Sequence, residues 1–222
     1  MTTTSAAEEL AAPDEAVAIS ERQGWWIYQS VRLLLRPLRW WARLDVRGLA
    51  ALPLHGPALI VSNHDSWLDP LAVIEAMMWR KRQLRFLAKH SLWGFKPFGW
   101  ILDRAGQIPI RRGESDAGAL EEAVDAIGRG ETIGIFPEGT LSRGTALRAR
   151  RGVSRLARAC PGVPVILVAV SGATDVKRFP KRPRARVEFF TPAGGPIAPA
   201  EDDQAFADRL LDEIRARAPR VA

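Results

Sequence analysis

Ile60-Val61-Ser62-Asn63-His64-Asp65-Ser66-Trp67-Leu68-Asp69-Pro70 reads as the end of a strand, a polar loop and the start of a helix. The apolar run 58–62 suits a buried strand. Asp69-Pro70 then supplies a favoured helix cap and a residue whose fixed φ suits the first helical turn. The same alternation continues downstream. Further β-rich runs stand at 84–88, 107–110, 132–136, 163–170 and 186–190, with helical stretches near 70–80, 115–129, 146–159 and 200–218. Strands alternating with helices form βαβ units around a mostly parallel sheet. The expected fold is therefore α/β: a mostly parallel central sheet flanked by helices, preceded by an N-terminal amphipathic membrane-docking segment. Such sheets place their chemistry in loops beyond the strand C-termini, which is where His64 falls.

A chain of 222 residues, 47% of them hydrophobic, suits one such domain with a short appendage. Residues 1–21 read as a flexible acidic lead without the basic start and apolar stretch of a signal peptide. Residues 22–44 read as an amphipathic interfacial helix or helix pair, and 45–222 as the α/β domain. Four of the eight tryptophans, Trp25, Trp26, Trp40 and Trp41, fall in the second segment. Arg32, Arg36, Arg39 and Arg43 follow one helical stripe, opposite Val31, Leu34, Leu35 and Leu38. An arginine stripe with indoles near both ends suits the lipid interface. Pro37 should kink or split the helix, and packing of this helix on the domain's own core is the competing reading. No apolar run approaches the roughly 18 residues of an ordinary membrane span. The lone Cys160 has no partner for an internal disulfide, which fits a reducing compartment.

The formal charge of +7, from 32 basic and 25 acidic residues, favours an anionic partner. Nucleic acid, anionic lipid and a phosphorylated substrate all qualify on charge alone. No nucleic-acid motif accompanies the charge, so none is expected as a partner. No G-x-S-x-G elbow or paired-histidine metal spacing is found either. The loop after 58–62 offers a different chemistry. Folded back, Asp69 can accept a hydrogen bond from one His64 nitrogen and leave the other as a general base. On these residues alone, Asp69 as a simple cap and His64 as a loop residue remain open.

The stretch from Asn63 to Asp69 resembles the H-x-x-x-x-D signature of the glycerolipid acyltransferases, a family that includes the 1-acylglycerol-3-phosphate acyltransferases (PlsC-like). Phe136-Pro137-Glu138-Gly139-Thr140, downstream at another strand exit, resembles a second block of that family. Gly106 to Arg112 looks like the block between them, and Val163-Pro164-Val165-Ile166 like the last. Four blocks stand in the family's order over about residues 60–170.

The resemblance implies that His64 takes the proton of an acceptor hydroxyl and that Asp69 orients it, the hydroxyl then attacking an acyl thioester. Asn63, Ser66, Phe136, Pro137, Glu138, Gly139, Thr140 and Arg143 would line the acceptor site, with Arg111 or Arg112 on its phosphate. The implied donor is acyl-CoA or acyl carrier protein, the implied acceptor 1-acylglycerol 3-phosphate, the product phosphatidic acid; no metal or other cofactor is implied. The implied place is an anionic membrane surface, peripheral or monotopic on the cytoplasmic face. Two positions depart from the family pattern: Leu141 stands where arginine is usual and Leu167 where a second proline is common. Leu141 bears on the acceptor and opens a phosphate-free or ornithine-type lyso-lipid as the alternative.

Overall fold

The structure is a computed structural model that describes residues 25–34, 43–111, 117–142, 145–174 and 184–219. The strands are β1 (Arg43–Arg47), β2 (Ala58–Ser62), β3 (Arg85–Lys89), β4 (Ile108–Ile110), β5 (Thr132–Ile135), β6 (Val165–Ser171) and β7 (Arg184–Phe190). The helices are α1 (Trp25–Leu34), α2 (Asp69–Met78), α3 (Lys96–Arg104), α4 (Ala117–Gly128), α5 (Gly152–Ala159) and α6 (Asp203–Arg217). The seven strands form a single sheet in the order β1-β7-β6-β2-β5-β3-β4. Every neighbouring pair is parallel except β6–β7. The α/β architecture expected from the sequence is the one observed.

All five residues of β2 are buried, as a central strand covered on both faces requires. Leu59 and Val61 point to one face, into a cluster with Val153, Leu156, Phe206, Leu210 and Ile214 from α5 and α6. Ala58 and Ile60 point to the other, against Val73, Ala76 and Met77 of α2. β6 divides its side chains between the two clusters in the same period of two. The sheet is thus the middle layer of three. Because β2, β5, β3 and β4 run parallel, their C-terminal ends share one edge, and the loops carrying His64, Phe136 and Arg111 leave from it.

Two expectations need correction. Arg43 is not on a helix: it opens β1 and stands opposite Arg184 of β7, so the α/β domain begins before residue 45. Leu44 and Val46 alternate inward there, a strand period that the arginine spacing disguised. The helix expected over 146–159 begins only at Gly152, because 145–150 run outside a helix and the Arg150 N–H reaches back to the Pro137 carbonyl at 2.8 Å. Outside the expected helical stretches, α3 follows a short 3-10 turn over His90–Gly94.

Helix α1 docks on the domain through one face. Ile27 and Tyr28 are buried against Met78, with Ile101 and Ala105 packed beside them. The Tyr28 hydroxyl donates to the Leu84 carbonyl at 2.6 Å and accepts from Gln107 Nε2 at 3.3 Å. Arg32, expected to face lipid, pairs instead with Glu75 of α2 at 3.3 Å. The other face is open: Trp26 is 49% and Leu33 62% exposed. Trp26 meets Trp100 of α3 edge to face, and the Arg104 guanidinium lies over both rings. Arg36, Arg39, Trp40 and Trp41 lie outside the described residues. Among those described, no helix is long and apolar enough to cross a membrane. Tyr28→Phe leaves the Leu84 carbonyl without its short partner, and a loss of about 1–3 kcal/mol in chemical denaturation is expected.

Candidate active site

Asp69 is the first residue of α2 rather than its cap; Leu68 holds the cap position and no side chain caps the helix. The Asp69 carboxylate instead turns back into the preceding loop. Its Oδ2 accepts the backbone N–H of Asp65 at 2.6 Å and of Ser66 at 2.7 Å. That grip folds the loop so that His64 Nδ1 comes to 3.5 Å from the same oxygen, within ion-pair reach but beyond a normal hydrogen bond. A negative group at a helix N-terminus is also favoured by the helix dipole. Burial pushes the Asp69 carboxyl above its usual range, while His64 and the two backbone donors pull against that shift. The imidazole keeps 18% of its surface open, against 1% for the Asp69 side chain. One member of the pair is therefore enclosed and the other reachable.

Stacking holds the imidazole plane. Phe136 lies 4.2 Å from the His64 ring at 20°, and Phe86 backs Phe136 at 4.7 Å and 11°. Gly134 in β5 makes room for this stack, since a Cβ there would stand 2.5 Å from the Phe86 ring. Beyond Phe136 the chain turns through Gly139, whose φ of 66° lies in the left-handed region. Arg150 packs directly against Gly139, leaving no space for a side chain.

Several residues expected to touch substrate hold the loops instead. Asn63 is fully buried: its Nδ2 donates to the Val170 carbonyl and its Oδ1 accepts the Val170 N–H, both at 2.8 Å, extending the β2–β6 pairing by side chain. Ser66 is 8% exposed, and its hydroxyl accepts the Leu68 N–H at 3.2 Å. Glu138 is 2% exposed, and its Oε2 accepts the His64 backbone N–H at 2.7 Å. Pro137 is buried, while Thr140 and Leu141 remain half-buried at the loop surface. Arg111 is exposed after β4, three strand spacings (roughly 14 Å) from β2 along the shared edge. Arg112 and Arg143 lie outside the described residues.

Three participants were not assigned from the sequence. Ser142 donates its N–H to the His64 carbonyl at 2.7 Å and its hydroxyl to Asp65, tying the two loops together. Arg215, far along the chain, reaches Asp65 and Glu138. Burial pushes the Asp65 carboxyl up, but Arg215 and Ser142 more than offset this and hold it below its usual range. Trp67, between His64 and Asp69, is 63% exposed. A small cleft lined by Asp65, Asp69, Ser171, Gly172, Thr174 and Pro219 adjoins the pair.

The arrangement is a reachable imidazole, oriented by a buried carboxylate and clamped in plane, at the C-terminal edge of a parallel sheet. It can withdraw a proton from a bound hydroxyl. Residues 43–171 match the family model described as Acyltransferase. Over 148 residues the chain is 34% identical to a lyso-ornithine lipid O-acyltransferase of Pseudomonas aeruginosa, covering 63% of this chain and 55% of that one. Over 138 residues it is 29% identical to a chloroplastic 1-acyl-sn-glycerol-3-phosphate acyltransferase of Brassica napus, covering 60% and 39%. The chain thus spans about half, or less, of the length of these curated relatives. A crystal structure of the 1-acyl-sn-glycerophosphate acyltransferase from Thermotoga maritima superimposes with a TM-score of 0.63 over 94% of this chain and 80% of that one. Its identity is 19%, so this likeness concerns the fold.

Proposed function

The chain belongs to the acyltransferase family, and from that premise we propose that it moves a fatty acyl group from a thioester to the free hydroxyl of a lyso-lipid at a membrane surface. The observation that carries this reading is the His64–Asp69 pair, with Nδ1 3.5 Å from the buried carboxylate and 18% of the imidazole side chain open. With Nδ1 protonated toward Asp69, Nε2 takes the hydroxyl proton as the oxygen attacks the thioester carbonyl. The C–S bond breaks, the new ester forms and the proton passes to the departing thiolate. Asp69 stabilises the transient imidazolium. A thioester already has a good leaving group, so the step needs neither a metal nor an acyl-enzyme intermediate. The donor is acyl-CoA or acyl carrier protein.

The acceptor proposed is 1-acylglycerol 3-phosphate, giving phosphatidic acid. Arg150 beside Gly139 supplies a cation on the site's edge for its phosphate, with the exposed Arg111 farther along the same sheet edge. Trp26, Trp67 and Trp100, all large and exposed, supply the amphipathic contact with an anionic bilayer, on its cytoplasmic face. A second acceptor, a lyso-ornithine lipid, is favoured by one position: Leu141 stands where the family pattern usually has arginine. An acceptor panel with one thioester donor, run on wild type and Leu141→Arg, decides between them. Wild-type transfer to lysophosphatidic acid with an acceptor KM further lowered by Leu141→Arg is expected. Transfer to lyso-ornithine lipid alone would move the assignment to the second acceptor, and no transfer to any lyso-lipid would end the proposal.

A further inference from the structure

Arg215 lies on α6, outside the 43–171 span that matches the family, and 150 positions after Asp65. Only 7% of its side chain is exposed. Its Nη1 donates to Asp65 Oδ2 at 2.7 Å and its Nη2 to Asp65 Oδ1 at 2.9 Å, a two-pronged fork. Nη2 also donates to Glu138 Oε1. Asp65 follows His64 directly, and the second Glu138 oxygen accepts the His64 backbone N–H at 2.7 Å. One guanidinium therefore holds both loops that leave the adjacent parallel strands β2 and β5.

We propose that Arg215 is a positioning residue of the acyl-transfer site: by bridging Asp65 and Glu138 it fixes the backbone on both sides of His64. The proposal rests on the acyl-transfer reading given above. Two carboxylates this close and this enclosed repel each other unless a cation lies between them. Arg215 supplies that cation, and its planar fork reaches three carboxylate oxygens at once. A lysine, a single point charge on a flexible stem, does not reproduce that geometry. The helix that carries the fork is anchored by Phe206, Leu210 and Ile214, all fully buried. The last helix therefore completes a site whose last recognisable block ends at Ile166, and the two residues it joins across the fold, Glu138 and Arg215, are 77 apart.

The test compares wild type, Arg215→Lys and Arg215→Met, each as the full chain on anionic phospholipid vesicles, with one acyl thioester and one lyso-lipid that wild type accepts. A positioning role predicts that kcat falls about tenfold for Arg215→Lys and about 100-fold for Arg215→Met, the scale of a misplaced reacting group. Both KM values should change much less than kcat, because the variants disturb orientation rather than binding. Arg215→Met carries two uncompensated buried carboxylates and is the variant at risk of misfolding, so the decision rests on Arg215→Lys. In that variant the thermal midpoint should stay near wild type while hydrogen exchange at the His64 amide, held by Glu138, speeds up. Wild-type kcat and unchanged His64 exchange in Arg215→Lys would overturn the inference. A loss confined to KM would do the same. Absence of transfer by wild type to every lyso-lipid would instead sink the acyl-transfer reading, and the positioning role with it.

Discussion

His64→Ala is expected to lower kcat for acyl transfer on the order of 10²–10⁴-fold, the contribution of a positioned general base to a poor nucleophile. The fold should survive, because the His64 side chain is partly open and the polar contacts it adds to the loop are few. The backbone around it is held by other groups: Glu138 takes the His64 N–H and Ser142 donates to its carbonyl. Vesicle binding should also persist, since the exposed tryptophans lie on other residues. Retention of more than a few per cent of kcat in a variant of unchanged circular dichroism would refute the general-base role.

Asp69 supports two functions, and two substitutions separate them. Asp69→Asn keeps an oxygen for the Asp65 and Ser66 N–H groups but removes the charge that favours the imidazolium. Its kcat should fall by roughly 10²–10⁴-fold with little change in stability, as loss of a base's orienting carboxylate does elsewhere. Asp69→Ala removes the oxygen as well. Two buried N–H donors are then left without partners, at about 1–3 kcal/mol each, so this variant should lose stability and activity together. Urea titration and initial rates on the same preparations distinguish the cases. Equal stability losses in both variants would mean that the carboxylate serves only the loop.

The central strands were legible because they are buried on both faces and read as near-continuous apolar runs. β2, fully buried, was placed within its observed bounds from that signal alone. The first strand was not legible: Arg43 continues the arginine spacing of the preceding segment, and only its pairing with β7 shows which period governs. α3 lay outside the expected helical stretches because Gly99 in its middle and the exposed Phe98 and Trp100 obscure the face that packs Ile101 beside Tyr28. For α1 the core-packing reading holds on one face, docked through Ile27 and Tyr28, while the other face stands open at Trp26 and Leu33.

The site was legible in its motifs and not in its wiring. His64 and Asp69, five residues apart, converge because a single loop connects them. Asn63, Ser66 and Glu138 belong to the motifs, yet each is buried and bonded to backbone or to another side chain. Residues kept near a site by sequence pattern divide into those that face substrate and those that hold the loop, and burial separates them. Arg215 carried no sequence signal, because its partners are 150 and 77 positions away and helical arginines are most often solvated.

Mixing the full chain on anionic vesicles with a labelled acyl thioester, with and without a lyso-lipid, tests direct transfer most plainly. Mass spectrometry of lipid and protein in the first turnover should find one diacyl product for each free thiol released, and no acyl group on the protein when the acceptor is withheld. An acylated protein that forms before the lipid product, or thiol release without a new lipid ester, would contradict the account.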